Sequence, residues 1–401
     1  MPTRTTPGLS RRGRSLPASP IRRLVPYADR AKAAGASIYH LNIGQPDIPT
    51  PKEMIQAYRN YDATVLAYGP SPGLPEFRQA VASYWKRWQV EIGPEQVIAT
   101  TGGSEAILFA LLALCDPGDE VLVPEPFYTN YLGFAAAAAV SVVPVPASVD
   151  DGFRLPASAE FERRITPRTK AILFSNPGNP TGAVYTPAEV RRLGDLAAEH
   201  GLFLLADEVY REFVYDGATF ASVFTLTDVA DRVIVLDSVS KRFSACGARV
   251  GCLVTRNEDV LAAATKLGQA RLCPPTVDQL AAAAAYTAPP SYLEGVLTEY
   301  QQRRDLMFDA LSGIDGVTTF KPAGAFYTVA KLPVADAEKF AIWLLTDFRH
   351  EGRSVMVAPA SGFYATEGAG LNEVRIAYVL KREDLDGAMQ VLAAALEAYS
   401  G

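Results

Sequence analysis

A lysine closes the segment Ser238-Val-Ser-Lys241, directly after the apolar run 233–236, and eight residues further on Arg249 stands inside Gly247-Ala-Arg-Val-Gly251. A lysine amine in a glycine-containing loop at a strand end is suited to form a Schiff base with a carbonyl. Ser238 and Arg249 beside it are suited to hold a phosphate dianion by charge-assisted hydrogen bonds. An ordinary solvated lysine fits the same residues. Ser-x-x-Lys also serves as the nucleophile of some serine acylases, but their companion Ser-Asp-Asn and Lys-Thr-Gly motifs are absent.

Three more segments carry chemistry. Ala206-Asp207-Glu-Val-Tyr210 ends an apolar run with two acids. Burying either is costly without a cationic partner, and a protonated pyridine nitrogen is such a partner, with Tyr210 then in reach of a phenolic oxygen on the same ring. Carboxylates capping a following helix would read the same way. Asn176-Pro-Gly-Asn179-Pro-Thr-Gly182 builds a rigid turn whose Asn179 amide is able to donate to an oxyanion. A turn without a ligand is the alternative. Thr101-Gly102-Gly103-Ser104-Glu-Ala106 lies between a strand-like and a helix-like stretch. Its glycines permit close backbone approach, and a helix N-terminus offers N–H groups to a phosphate. A plain Ser104 helix cap is equally compatible. The four segments together supply a nucleophilic amine, a counter-ion for a ring nitrogen, donors for a ring oxygen and a phosphate cradle. That set matches pyridoxal 5'-phosphate (PLP) group by group.

These side chains need a frame. Short apolar runs at 96–100, 120–123, 141–145, 171–175, 203–206, 233–236 and 250–255 alternate with helix-like stretches such as 104–114 and 187–199. That alternation predicts a mostly parallel sheet covered by helices on both faces. Such sheets bind ligands at the carboxyl ends of their strands, where the four segments fall. After about residue 290 the pattern changes to a long polar helix (292–311) and short strands near 326–329, 355–357 and 374–378. The expected organisation is a flexible arm (1–20), a segment (21–50) that packs with the small domain, a large domain (51–290) and a small α+β domain (291–401). The alanine runs 135–139 and 281–285 read as helix filler.

Composition narrows the classes. The 401 residues are 49% hydrophobic and carry a formal net charge of −6, so a nucleic-acid partner is not expected. Cys115, Cys246, Cys252 and Cys273 form no CxxC pair, and His40, His200 and His350 are scattered, so neither a metal nor a disulfide framework is expected. A reducing, cytoplasmic setting follows. No apolar run approaches the ~20 residues of a membrane span. Residues 1–27 hold six arginines and no acid, as some transit peptides do, but their prolines and lack of an apolar core favour a flexible arm.

From about Pro20 to the C-terminus the chain resembles the class I/II aminotransferases of PLP fold type I, the aspartate-aminotransferase-like superfamily. The Asn-Pro-x-Gly turn, the Asp-x-x-Tyr and the Ser-x-x-Lys with its arginine keep that family's order and spacing. The resemblance implies a seven-stranded, mostly parallel sheet between helices, plus a smaller α+β domain. It implies Lys241 as the Schiff-base lysine, Asp207 at the pyridine nitrogen, and Tyr210 and Asn179 at the ring oxygen. It further implies Gly102, Gly103, Ser104, Ser238 and Arg249 at the phosphate, and Tyr128 against the cofactor ring. Tyr68 would reach the phosphate of a neighbouring subunit, making a homodimer with shared sites. Arg375, in Val374-Arg-Ile-Ala-Tyr378, resembles the clamp for the substrate α-carboxylate, with Gly44 and Asn179 beside the substrate. Arg271 is the residue expected to select a dicarboxylate such as aspartate or glutamate; a helix-end arginine bonded to backbone carbonyls is its alternative. The implied reaction is ping-pong transfer of an amino group between an L-amino acid and a 2-oxo acid. The same fold also hosts β-lyases, cyclopropane-forming synthases and the ligand-sensing domains of transcription regulators.

Overall fold

The computed structural model describes residues 8–400. All seven apolar runs become strands of one sheet, in the spatial order Val97–Thr100, Gly251–Thr255, Val233–Ser238, Phe203–Asp207, Thr169–Ser175, Glu120–Glu125, Ser141–Pro146. Gly251–Thr255 runs antiparallel to both its neighbours, and the other pairings are parallel. Alternation along each strand fills two cores. Ile172, Phe174, Leu204 and Ala206 face one side, while Ala171, Leu173, Leu205 and Ile234 face the other. Both faces are therefore buried, which is why these strands read as continuous apolar runs.

The covering helices follow local signals. Pro187–Glu199 starts on a capping box, with Thr186 accepting from the Glu189 N–H and Glu189 returning to the Thr186 N–H, and Pro187 in its first turn. Gly102–Leu114 begins two residues earlier than expected, because Gly102 and Gly103 enter the helix.

A four-stranded antiparallel sheet, ordered Ala358–Pro359, Glu373–Ala377, Tyr327–Lys331, Thr318–Thr319, lies in the C-terminal part with the helices Pro290–Ser312 and Arg382–Ala398. The strand Ser37–His40 pairs in parallel with Arg353–Met356, and Leu24, Ala28 and Leu41 enter the same core as Phe326 and Ile376. The polar helix is two residues longer at its start than its sequence pattern. Within the segment read as a flexible arm, Ser10 caps a five-residue helix, Arg11–Ser15, that lies against Asn130–Ala138. Residues 1–7 of that arm lie outside the described residues. Among the described residues no helix is long and apolar enough to cross a membrane.

Candidate active site

Strand register brings the chemistry to one edge. Ser175 is level with Asp207, and Asp207 with Leu236. Both Ser238 and Thr100 are level with Gly251. The turn at Asn176, the acid Asp207, the Lys241 segment and the loop at Gly102 therefore leave the sheet side by side. A cavity of about 810 Å³ opens there, lined by Gly44, Gly103, Ser104, Tyr128, Asn179, Asp207, Tyr210, Ser238, Lys241, Arg249 and Arg375.

Lys241 stands on a one-turn helix, Val239–Arg242, whose first turn is capped by Ser238: the Ser240 N–H donates to Ser238 Oγ at 3.1 Å. Its Nζ donates to the Gly44 carbonyl at 2.8 Å and lies 3.8 Å from Cys246 Sγ. Beside it Asp207 is buried, with Tyr131 donating to Oδ2 at 2.8 Å and the Val209 N–H to Oδ1 at 3.4 Å. No cation of the described residues pairs with it within 4.0 Å. Burial accordingly lifts its pKa from the ordinary 3.8 to about 6, opposed by the Tyr131 hydrogen bond. The next acid is treated differently. Glu208 points into a buried set with Arg211, Asp237 and Arg242, in which Arg242 donates to both oxygens of Asp237 at 3.0 and 3.1 Å. Burial still pushes Glu208 up to about 7. Of two acids ending one strand, one is given to arginines and the other to the cavity.

The phosphate-sized end has its own logic. Gly102 adopts φ +73°, and a Cβ there would run into the Arg249 guanidinium. Arg249 itself sits in the left-handed region at φ +55°, a conformation that costs a non-glycine residue of order 1 kcal/mol. Its guanidinium has one backbone partner, the Cys246 carbonyl at 3.1 Å, and no carboxylate partner among the described residues. Gly103 and Ser104, in the first turn of the 13-residue helix Gly102–Leu114, line the same cavity, and the first N–H groups of a helix have no partner within it.

Opposite lies Arg375, buried on the strand Glu373–Ala377. It donates to the Asn42 carbonyl at 2.6 Å and to Asn179 Oδ1 at 3.2 Å. With Asn179 Oδ1 occupied, its amide nitrogen remains to donate. The guanidinium carbon lies over the rings of Tyr327 (4.5 Å) and Phe363 (4.9 Å), and Nε has no partner. Burial lowers the Arg375 pKa, and the phenols around it oppose that shift. Two of its five N–H donors are in use, so a carboxylate pair remains available. The Tyr210 hydroxyl lies 3.0 Å from that of Tyr327. Tyr128 lines the cavity and accepts from Asn130 Nδ2 at 2.7 Å; burial raises its pKa to about 12.

Two expected residues stand elsewhere. Tyr68 is 81% exposed and does not line this cavity. Arg271 does not line it either. Its guanidinium donates to Glu105 at 2.7 Å and to the carbonyls of Ser71 (3.2 Å) and Ala99 (3.4 Å), so the chain's own cavity receives no charge from it. Three contributions escaped the sequence reading. Tyr131 bonds Asp207 from the first turn of the helix Asn130–Ala138, three residues beyond Tyr128. Tyr327 bonds Tyr210. Ser19, Ile21, Arg22, Val25 and Pro26 of the N-terminal stretch form part of the cavity wall.

The arrangement suits an aromatic phosphate ester with a basic ring nitrogen and an aldehyde. The buried Asp207, with no cation paired to it, provides a place for the nitrogen, and the bare Gly102 lets the Arg249 guanidinium sit beside Gly103 and Ser104, where a phosphate would be held. Among the described residues no group of three or more His, Cys, Asp or Glu is placed to hold a metal ion.

Comparisons with known proteins agree with this geometry. Residues 36–392 match the family "aminotransferase class I and II". A probable aspartate/prephenate aminotransferase of Thermus aquaticus is 32% identical, with 97% of this chain and 100% of that protein covered. A single mutant of Thermus thermophilus aspartate aminotransferase superposes with a TM-score of 0.89 at 31% identity, covering 97% of this chain and 100% of its own. An alanine aminotransferase from Pyrococcus furiosus also reaches 0.89, at 32% identity and coverages of 98% and 100%.

Proposed function

The chain belongs to the class I and II aminotransferase family, and from that premise we propose that it moves an amino group between an L-amino acid and a 2-oxo acid with PLP held on Lys241. One observation carries the proposal. A lysine amine, a buried carboxylate lacking a cation and a buried arginine with free donors face one cavity.

PLP, when bound, supplies an aldehyde that condenses with amines and a ring that withdraws electrons from the carbon attached to that nitrogen. The chain supplies the rest. Lys241 Nζ holds the aldehyde carbon and, once displaced, carries the proton off the substrate α-carbon. Asp207 keeps the ring nitrogen protonated. Tyr210 and the amide of Asn179 donate to the ring oxygen. Ser238, Arg249 and the N–H groups of Gly103 and Ser104 hold the phosphate, with Gly102 leaving room for Arg249. Tyr128 covers the ring face, and Gly44 carries the N-terminal segment past the substrate. Arg375 pairs with the α-carboxylate, and the planar fork fixes its orientation. One site serving both half-reactions implies ping-pong kinetics.

Steady-state transfer from a panel of amino acids to 2-oxoglutarate tests the proposal. Turnover with at least one donor is expected, and its absence with all twenty would refute it. The donor is left to that screen. The related proteins bear aspartate and alanine names, and Arg271, engaged by Glu105, gives little support to an aspartate or glutamate preference.

The proposed division of the chain puts Lys241 and Asp207 in the large domain (51–290), Arg375 in the small one (291–401) and Gly44 in the segment 21–50. A cytoplasmic setting belongs to the same reading, supported by four free cysteines. So does a homodimer. Val65 and Leu66 are 71% and 72% exposed beside Tyr68, and Leu272 is exposed near them, where the Gly69 N–H meets Cys273 Sγ at 3.3 Å. An apolar patch of this kind marks a contact surface. If Tyr68 completes a second copy's phosphate site, mixing Lys241→Ala and Tyr68→Phe chains should restore activity above that of either alone. No gain after demonstrated subunit exchange would remove Tyr68 from the site.

A further inference from the structure

Tyr327 touches three parts of the site at once. It opens the strand Tyr327–Lys331 and pairs with Ala377, two residues along from Arg375 on the neighbouring strand. That diagonal placement brings its ring under the guanidinium, 4.5 Å from ring centre to Cζ. Its hydroxyl lies 3.0 Å from the Tyr210 hydroxyl. A Cβ on Gly44, whose carbonyl receives the Lys241 amine, would collide with its ring and hydroxyl.

We propose that Tyr327 is a positioning residue that ties the carboxylate clamp to the ring-oxygen side of the site, acting on Arg375 with its face and on Tyr210 with its hydroxyl. The inference rests on the function proposed above. A phenol has one proton to donate. With the cofactor present, the Tyr210 proton goes to the ring oxygen, so Tyr327 must be the donor of the pair. A donor behind a donor strengthens the forward hydrogen bond. The face does separate work: Arg375 Nε has no hydrogen-bond partner, and the plane of the guanidinium is held by Tyr327 and Phe363.

The two contributions separate in two variants of the cofactor-loaded enzyme. Tyr327→Phe keeps the face and loses the hydroxyl. The pH midpoint of the visible band of the Lys241-linked cofactor should rise by roughly 0.5–1 unit, because weaker donation to the ring oxygen disfavours the deprotonated form. KM for the amino donor should stay within about threefold. Tyr327→Leu loses the face as well, and KM should rise roughly 5- to 30-fold. Borohydride should label Lys241 in both variants as in the parent. A Tyr327→Phe midpoint within about 0.2 unit of the parent, or a Tyr327→Leu KM equal to it, would overturn the inference. The Phe variant alone decides the hydroxyl arm where the Leu variant does not fold. Failure of the parent itself to label at Lys241 would overturn the proposed function and this inference with it.

Discussion

Lys241→Ala should bind the cofactor and fail to turn over. The phosphate cradle and Asp207 do not depend on the amine, so a yellow, non-covalent complex is expected to survive gel filtration at high cofactor concentration. The chemistry does depend on it. A positioned acid–base group contributes roughly 10²–10⁴-fold, and this one also forms the covalent link, so a loss of at least roughly 10⁴-fold in kcat is expected. Cys246, whose Sγ lies 3.8 Å from Lys241 Nζ, already donates to the Ser240 carbonyl at 3.3 Å. Borohydride reduction followed by peptide mapping should place the cofactor on Lys241 in the parent and nowhere in the variant. Near-normal multiple turnovers by Lys241→Ala would refute the assignment.

Asp207→Asn should lose roughly 10²–10⁴-fold in kcat. Removing one partner of a buried ion pair costs about 3–5 kcal/mol, and each 1.36 kcal/mol is tenfold in rate. The same residue makes a prediction about stability. Without a cation, Asp207 has a folded-state pKa near 6 against an ordinary 3.8. Between those values the folded chain binds more protons than the unfolded one, so stability falls as pH rises through that window. The penalty is absent below about pH 4 and fully present above about pH 6, where it amounts to roughly 3 kcal/mol. A ring nitrogen that brings its own proton removes it. The cofactor should therefore raise Tm more at pH 7.5 than at pH 5. Measuring this in a Lys241→Ala background keeps the covalent link out of the comparison. Asp207→Asn should abolish the difference between the two pH values. Equal increments with aspartate in place would locate the nitrogen contact elsewhere.

The sheet was legible because burial on both faces forces β-rich apolar runs, each cut off by Gly, Pro or polar residues; that is why 203–206 and 233–236 stop within two residues of the strands they become. The helix Pro187–Glu199 was legible to the residue, since Thr186, Pro187 and Glu189 spell its start. Asp207, Tyr210 and Lys241 were legible as local motifs at strand ends. Tyr327 was not, because its meaning lies in contacts with Tyr210, Arg375 and Gly44, which are far apart in the chain and meet only through strand register. Arg271 could not be read from type and segment alone: within its own chain its charge is answered by Glu105, more than 160 residues away. The wall formed by Ser19, Ile21, Arg22, Val25 and Pro26 escaped because the segment from residue 21 was expected only to pack with the small domain, and the arginines and prolines before it read as an arm.

The place of Gly251–Thr255 in the sheet sets a schedule for the nascent chain. Val97–Thr100 has this strand as its sheet neighbour, and about 150 residues separate the two. At roughly 5–20 residues per second, a ribosome needs on the order of 8–30 s to deliver them. For that interval Val97–Thr100 has no sheet partner, and both its sides are able to pair with other chains, whereas one is covered afterwards. The loop at Gly102 leans on Arg249, so the phosphate cradle is also unfinished until the late strand is inserted. Cofactor capture thus follows translation of at least the first 255 residues, and an edge left waiting longer, as on a slowed ribosome, is where aggregation of this protein would begin.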